Sequence, residues 1–377
     1  MELSTRIPEC VEDLETAQRR ALIVQKRLER AGQRVEQVKA VEKRLALEKE
    51  ELARLGGLAR VYRRFGRMLL ESSAEEEQRE LGVKEEEVGR QLRGAEAERD
   101  FARQEVHLIE RDLRDLESKE ATASLTVAIG GLLKTQPSLQ RSSRWLCFAN
   151  PTSPMLQEGP QCGLVALTIA INAISKEQQK SVATVFELAR ERGFSNHGEM
   201  FSVDSMASLA EELMPEECKV SIVESTKLDE TAWLVDALLD GCLMLVPYDC
   251  SPDHSPGLAG GEKAHWALVT GFLLPNSNTT RLPTFCSPLP GCPNFYELSN
   301  GATPPSQAAN CQDLMLVARQ SKSVLLGLWS ARHLALSCRN LRQAASKRLD
   351  GFYVLPERGG LQKLCGRIVI LSKNRRD

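Results

Sequence analysis

Long hydrophobic runs are missing from this chain. The longest apolar stretch, LTVAIGGLL at 125–133, is about half of what a bilayer span requires, which excludes a membrane-spanning reading. The start, MELSTRIPECVEDLE, lacks the basic and apolar regions of a signal peptide. An excess of one charge is missing too. Lys and Arg total 49 against 51 Asp and Glu, a net charge of −2, so no strong field draws the chain to nucleic acid or to an anionic membrane. Cysteine is not scarce, but the eleven residues are an odd number and form no CxxC pair. That argues against a disulfide framework and against a structural zinc, and it fits reduced thiols in a cytoplasmic protein. Cys286 and Cys292 bracket SPLPG, but two thiols without a neighbouring histidine make a poor metal site. No GxSxG of a serine hydrolase occurs, and GLAGGEK at 257–263 lacks the Lys-Ser/Thr that completes a phosphate loop. Neither a cofactor nor a metal is expected.

Proline is missing from one half and not the other. After Pro8 none occurs until Pro137, and sixteen of the 17 prolines lie from there onward. The first 120 residues are rich in Glu, Arg, Leu and Ala, a composition that favours long helix. Leu14, Ala21, Leu28 and Val35 step by sevens, and Ala17, Val24, Ala31, Val38, Leu45 and Leu52 do so offset by three. Sustained heptads of this kind predict a coiled coil, with Glu42 and Lys49 interrupting one series. Gly56 and Gly57 are expected to end the helix. A second seam runs through Val88, Leu92, Ala95, Ala102, Val106, Ile109, Leu113 and Leu116. Between the seams, LARVYRRFGRMLLESS carries strand-favouring residues, and Gly66 can supply a turn. The predicted layout is helix, hairpin, helix, with the helices folded back antiparallel.

On Tyr62, Phe65, Gly66, Arg67, Met68 and the flanking seams, residues 8–120 resemble a β-class prefoldin subunit of the subunit-one type. The resemblance implies an all-α coiled-coil hairpin with a small β-hairpin, assembly with other prefoldin subunits, and unfolded clients held without nucleotide. Residues 121–143, with Ser, Thr, Gln and Pro and no sustained period, read as linker.

A different kind of polypeptide follows. SVATVFELARERG closed by Gly193, SVDSMASLAEELMP capped by Ser202 or Asp204, and DETAWLVDALLDG capped by Asp229 read as helices. CLMLVPYD, HWALVTGFLL, SVLLGLW, GFYVLPE and CGRIVILS read as strands. Helices first and strands later predict an α+β domain of two segregated parts with a cleft between them. Residues 276–312, rich in Pro, Asn, Ser and Thr, are expected to form a mobile insertion.

QEGPQCGLVAL at 157–167 puts a Gly-Pro turn directly before a run with helical spacing, so Cys162 falls in the first turn of a helix. Unpaired N–H groups and the positive end of the dipole favour a thiolate there. Such a nucleophile needs a base, and five histidines occur: His107, His197, His254, His265 and His333. His107 lies on the coiled coil, His333 in a basic stretch, and His197 and His254 in turns. His265 opens a strand straight after the Gly-rich loop. Gln157, five residues before the thiol, is placed either to donate to an oxyanion together with the Cys162 N–H or to hydrogen-bond its own turn.

QEGPQCG, GEMFSV, LMLVPYD, KAHWALVTG and CGRIVIL, in that order over about residues 144–371, resemble the actin maturation protease family, papain-like cysteine peptidases related to the peptidase C39-like group. The resemblance implies an α+β papain-like fold with Cys162 as nucleophile, His265 as general base and then acid, and Gln157 as oxyanion donor. It also implies a substrate, the N-terminus of actin, from which an N-acetylated residue is removed. Related peptidases orient the imidazole with Asp or Asn on the strand after the histidine strand. Here Ser330 stands there, with Asn276, Asn278 and Asp249 as substitutes among which the sequence does not choose. The expected whole is a prefoldin-like coiled coil joined to a cysteine aminopeptidase. The alternatives are a catalytically silent chaperone subunit that binds actin and a papain-like peptide transferase.

Overall fold

The computed structural model describes residues 2–55, 60–65, 68–136, 139, 144–175, 179–276, 286–299, 311, 313–345, 353–355 and 360–374. The chain forms two compact units, Val11–Leu116 and a larger one made of Met1–Cys10 with Glu117–Asp377.

The apolar heptads make two long helices, α1 (Glu2–Leu55) and α2 (Ala74–Thr135), whose greater part, with the strands β1 (Arg60–Phe65) and β2 (Met68–Ser73) between them, forms the smaller unit. α1 stops just before Gly56 and Gly57, and the predicted turn at Gly66 and Arg67 separates Phe65 from its strand partner Met68. All four of those turn residues lie outside the described residues. Ser73 and Glu76 start α2 reciprocally: the Glu76 N–H donates to Ser73 Oγ at 3.2 Å and the Ser73 N–H to Glu76 Oε2 at 3.3 Å. These bonds hold the Glu76 carboxyl below the usual carboxylate range.

The helices run antiparallel, because cross-helix ion pairs descend on one as they climb on the other: Arg27–Glu105, Arg34–Glu98 and Lys39–Glu96. Such exposed pairs are individually weak, and the buried seam of Val24, Ala31 and Val35 against Val88, Ala95, Ala102 and Ile109 supplies the cohesion. Lys49, which interrupts the heptads, meets Glu85.

The larger unit is built on one ten-stranded sheet. Its elements in chain order are β3 (Arg144–Ala149), α3 (Cys162–Ile174), α4 (Val182–Glu191), α5 (Val203–Leu213), β4 (Cys218–Glu224), a 3₁₀ turn (Ser225–Asp229), α6 (Thr231–Leu239), β5 (Leu243–Cys250), β6 (Pro256–Gly257), β7 (Ala264–Asn276), β8 (Cys286–Pro288), β9 (Phe295–Leu298), β10 (Met315–Arg319), β11 (Gly327–Ser330), α7 (Ala331–Arg339) and β12 (Arg367–Lys373). The main strand order is β4-β12-β5-β7-β3-β9-β8. All neighbours along it are antiparallel except β3 and β9, which run parallel. β7 is the hub, pairing with β5 over Ala264–Val269, with β3 over Gly271–Asn276 and with β10 over Leu268–Leu273.

Helices cover both faces of this sheet, which corrects the expected segregation into a helical and a strand part. The strands alternate between the two faces. Leu243 and Leu245 of β5 join the cluster with α3, α4 and α5, whereas Met244, Val246 and Tyr248 join the one with α6 and α7. Burial on both sides is why β5 and β7 read as nearly continuous apolar runs. Among the described residues no helix is long and apolar enough to cross a membrane.

Four expectations change in detail. The stretch read as linker, 121–143, continues α2 as far as Thr135, and Leu125 and Ile129 are fully buried against Trp145, Phe295 and Val317. Ser202, not Asp204, caps α5, accepting from the Ser205 N–H, and Glu230 rather than Asp229 precedes α6. The stretch GFYVLPE forms no strand where it is described, at Tyr353–Leu355. Part of the expected insertion pairs instead: β9 attaches to β3 and β8 to β9, and Leu289, Cys292 and Phe295 are buried there. The rest of that segment falls mostly outside the described residues.

Close strand packing makes one glycine obligatory. A Cβ on Gly271, opposite Ala149, would strike the Phe148 carbonyl and lie 2.6 Å from the Ala149 Cα. Backbone cannot swing aside as a side-chain tip can. Gly271→Ala is therefore expected to cost about 1–3 kcal/mol, read as a lower urea midpoint at unchanged slope.

Candidate active site

The loop before α3 turns at Gly159, whose φ of +64 lies in the left-handed region, and Cys162 is the first residue of the helix. Its neighbour Gly163 has no room for a side chain: a Cβ would lie 2.9 Å from Met206 Cε and from Trp266 Cδ1. That contact lets the start of α3 press against β7 and fixes the thiol beside the strand. Gly198, at φ +103, packs on the Gln161 side chain and braces the residue before the thiol. The rest of α3 is apolar on every side and buried, so it anchors the thiol in the core.

His265 is the second residue of β7 and is buried. Directly opposite on β5 stands Tyr248, whose ring meets the imidazole edge to face at 5.5 Å. The Tyr248 hydroxyl donates to the His254 carbonyl at 3.0 Å, and burial pushes the phenol well above its ordinary pKa. Tyr248 is thus a neutral wall that holds the ring. On the other side His265 Nε2 lies 2.7 Å from the main-chain oxygen of Gln320. A carbonyl only accepts, so Nε2 carries the proton and Nδ1 holds the lone pair of the neutral ring.

This carbonyl holds the imidazole nitrogen that the resemblance expects an Asp or Asn to orient. Ser330 instead caps α7, accepting from the His333 N–H. Asp249 is buried and takes the N–H groups of Gly261 and Lys263 at 3.1 and 3.3 Å, which shapes the loop that delivers His265. Asn276 sits at the far end of β7 opposite Arg144, and Asn278 lies outside the described residues.

Gln157, Cys162 and His265 line one cavity of about 520 Å3, with Gly159, Glu199, Lys263, Trp266, Lys322 and Tyr353 among its other walls. Gln157 is pinned from both ends. Its N–H donates to the Ser321 carbonyl at 2.8 Å, its Oε1 accepts from Ser321 Oγ at 3.0 Å, and its Nε2 donates to the Gly159 carbonyl at 2.7 Å. The turn contact weighed from the sequence is therefore present, and the carboxamide keeps a second N–H. Of the remaining histidines, His197 packs edge-on against Tyr353, and His254 adopts φ +69 with its Nδ1 buried. Elsewhere burial pushes thiols up, Cys218 and Cys338 to about 12, which leaves those sulfurs as packing groups.

Arg319, at the end of β10 and next to Gln320, is buried. It donates to both carboxylate oxygens of Glu120 in α2 at 3.2 Å, to Thr152 Oγ1 at 3.0 Å and to the Thr152 carbonyl at 2.6 Å. That guanidinium thus ties α2 to Thr152, at the root of the loop that leads to Cys162, from the position next to Gln320. Arg319, Gln320, Ser321 and Tyr248 all escaped the sequence reading. Only Tyr248 had a usable signal there, inside the LMLVPYD motif.

A family profile described as "Actin maturation protease-like, C-terminal domain" matches residues 152–273, the stretch that carries both Cys162 and His265. Actin maturation protease of Danio rerio is 32% identical over 254 residues, 63% of this chain and 78% of that protein. The Xenopus tropicalis protein is 34% identical over 232 residues, 61% of this chain and 74% of that protein. The Homo sapiens protein is 33% identical over 240 residues, 61% of this chain and 66% of that protein. With a mixed α/β domain whose cavity brings Cys162 and His265 together, these relatives define the class as protease. Within that class, the chain belongs to the actin maturation protease family.

Proposed function

We propose that the chain is a cysteine-type aminopeptidase of papain-like architecture that removes the N-acetylated first residue of actin. The carrying observation is that Cys162, at a helix start, and His265, with Nε2 committed to the Gln320 carbonyl, line the same cavity. His265 Nδ1 draws the proton from Cys162, and the thiolate attacks the carbonyl carbon of the acetylated residue. A carbon–sulfur bond forms and the oxygen becomes an anion, met by the Cys162 N–H and the second N–H of Gln157. The carbon–nitrogen bond then breaks as Nδ1 gives its proton to the leaving amine of actin. Water, deprotonated at Nδ1, attacks the thioester and releases the acetylated amino acid, restoring the thiol.

The helix–hairpin–helix unit adds a prefoldin-like module that holds unfolded client and associates with other prefoldin subunits. A client held on the same chain meets the peptidase at raised effective concentration. A catalytically silent chaperone had its best support in Ser330, and that residue is spoken for as a helix cap.

An actin-like peptide with an acetylated N-terminus, incubated with wild type and with Cys162→Ala, tests the reading by mass spectrometry. Loss of one acetylated residue with wild type alone is expected. Equal loss with both proteins removes Cys162 as nucleophile, and no loss with either removes the peptidase reading.

A further inference from the structure

Glu199 is a wall of the cavity that the reaction above does not use, and it is a buried charge, 2% exposed. A carboxylate so placed is costly unless hydrogen bonds replace its water. Here they do. Oε1 accepts from the N–H groups of Asn196 and Val354 at 3.0 and 2.8 Å. Oε2 accepts from Ser195 Oγ and from the His197 N–H at 3.2 and 2.8 Å. All four donors are neutral, so the anion is held by the loop that it gathers. Bonds to an ionised acceptor are roughly twice as strong as neutral ones, which makes a carboxylate the effective group for this purpose.

That loop, 195–201, touches the nucleophile and the base from either side. Ser195 Oγ, which donates to Glu199, accepts from the Gly198 N–H at 2.7 Å. Gly198, at φ +103, leaves open the space that the Gln161 side chain fills, one residue before Cys162. One residue past the carboxylate, the Met200 carbonyl accepts from Trp266 Nε1 at 2.8 Å, next to His265. Met200 also abuts Gly163, one residue after the thiol. Both neighbours of Cys162 and one neighbour of His265 therefore rest on a single short loop shaped around one anion.

We propose that Glu199 is a positioning residue whose carboxylate, through Ser195 and Gly198 on one side and Met200 on the other, sets the spacing of Cys162 and His265. The proposal rests on the reading of those two residues as nucleophile and base. A displacement of about 1 Å at a reacting pair costs about a hundredfold in rate, so a loop that fixes both partners acts on kcat. Val354 brings a further wall under the same control, since Tyr353 lines the cavity beside it.

The test compares the full chain with Glu199→Ala, Glu199→Gln and Ser195→Ala. Kinetics on the acetylated actin-like peptide are measured alongside melting temperatures. Alkylation of Cys162 by iodoacetamide, followed by mass spectrometry of its peptide, needs no substrate. It is run at about pH 6.5, where an ordinary thiol is protonated, and at about pH 9.5, where it is ionised. Glu199→Ala is expected to lower kcat about a hundredfold with little change in KM. Its alkylation is expected to slow about tenfold at the lower pH only, because only there does the thiolate depend on a well-placed imidazole. Glu199→Gln keeps one acceptor oxygen but turns an NH2 toward a donor. Ser195→Ala keeps the carboxylate and cuts its link to Gly198. Both are expected to lose about tenfold in kcat, and they carry the test if Glu199→Ala does not fold.

If every folded variant matches wild type in kcat and in both alkylation rates, the positioning role is overturned and the peptidase reading stands. Equal slowing of alkylation at both pH values also overturns it, because the loop then serves only the fold. If wild type cleaves nothing yet alkylates fast at the lower pH, and the variants lose that speed, positioning stands and the peptidase reading falls. If wild type neither cleaves nor alkylates faster than an ordinary thiol, both fall.

Discussion

Glu120→Ala is expected to lower the unfolding free energy of the larger unit by about 3–5 kcal/mol, because it strands a buried guanidinium. Arg319 and Glu120 are 3% and 1% exposed, so water cannot replace the lost carboxylate. Burial alone draws the Arg319 pKa down, and the Glu120 charge opposes that pull. Removing the carboxylate leaves the penalty without the compensation. The expected readout is a urea midpoint that falls at unchanged slope, with peptidase activity falling in parallel, since Arg319 also holds Thr152 and stands next to Gln320. Replacing both partners by apolar residues, Glu120→Leu with Arg319→Met, is expected to recover much of the loss, as double replacements of buried pairs do. A Glu120→Ala midpoint within experimental error of wild type would show that the pair is not closed in solution. For the same reason a chain that starts at residue 144 is expected to misfold, having shed Leu125 and Ile129 along with Glu120. Each of those two side chains is worth about 1.5–3 kcal/mol when fully buried.

That helix segment is also where sequence reading failed, and the cause is physical. Residues 118–135 carry Ser, Thr and two adjacent glycines, Gly130 and Gly131, which lower helix propensity and obscure the period. What makes the segment helical is tertiary. Leu125 and Ile129, one turn apart, face a core built from β3, β9 and β10, and Glu120 answers an arginine 199 residues away. No local window contains that partner. Short-range signals did better. Ser202 caps its helix from the side chain, and Gly193 follows α4 with φ +69. Each is decided within a few residues of chain. The candidate site divides the same way. The placement of Cys162 at a helix start was legible because a turn-then-helix pattern is local, and that of His265 on a strand because a Gly-rich loop precedes it. Gln320 was not, because it contributes a main-chain oxygen to His265. Any residue type can supply that atom, so the side chain spelled in the sequence carries no information about the role.

His265→Ala is expected to reduce kcat by about a hundred- to ten-thousandfold, the range for removing a positioned base. Cys162→Ala should abolish turnover outright, and adding His265→Ala to it should change nothing further, since the two act as a unit. Gln157→Ala takes away the proposed oxyanion donor but leaves the Cys162 N–H in place, so a loss of about a hundred- to a thousandfold in kcat is expected. Its effect on KM should be small, because the contact strengthens only as the oxygen becomes charged. Gln157 is also clasped by Ser321 and Gly159, so its removal frees the turn. Asn in its place tests whether reach matters, being one methylene short of the same amide. His333, exposed at the start of α7, is the control, and His333→Ala should keep full activity. Initial rates with the acetylated peptide, alongside melting temperatures, separate chemistry from folding. If His265→Ala kept more than about a tenth of the rate with an unchanged melting point, the proton would have to travel by another group. His254, held below its ordinary pKa by burial, Lys322 and His265, would then be the next imidazole to replace, since a depressed pKa leaves it unprotonated and able to accept a proton at neutral pH.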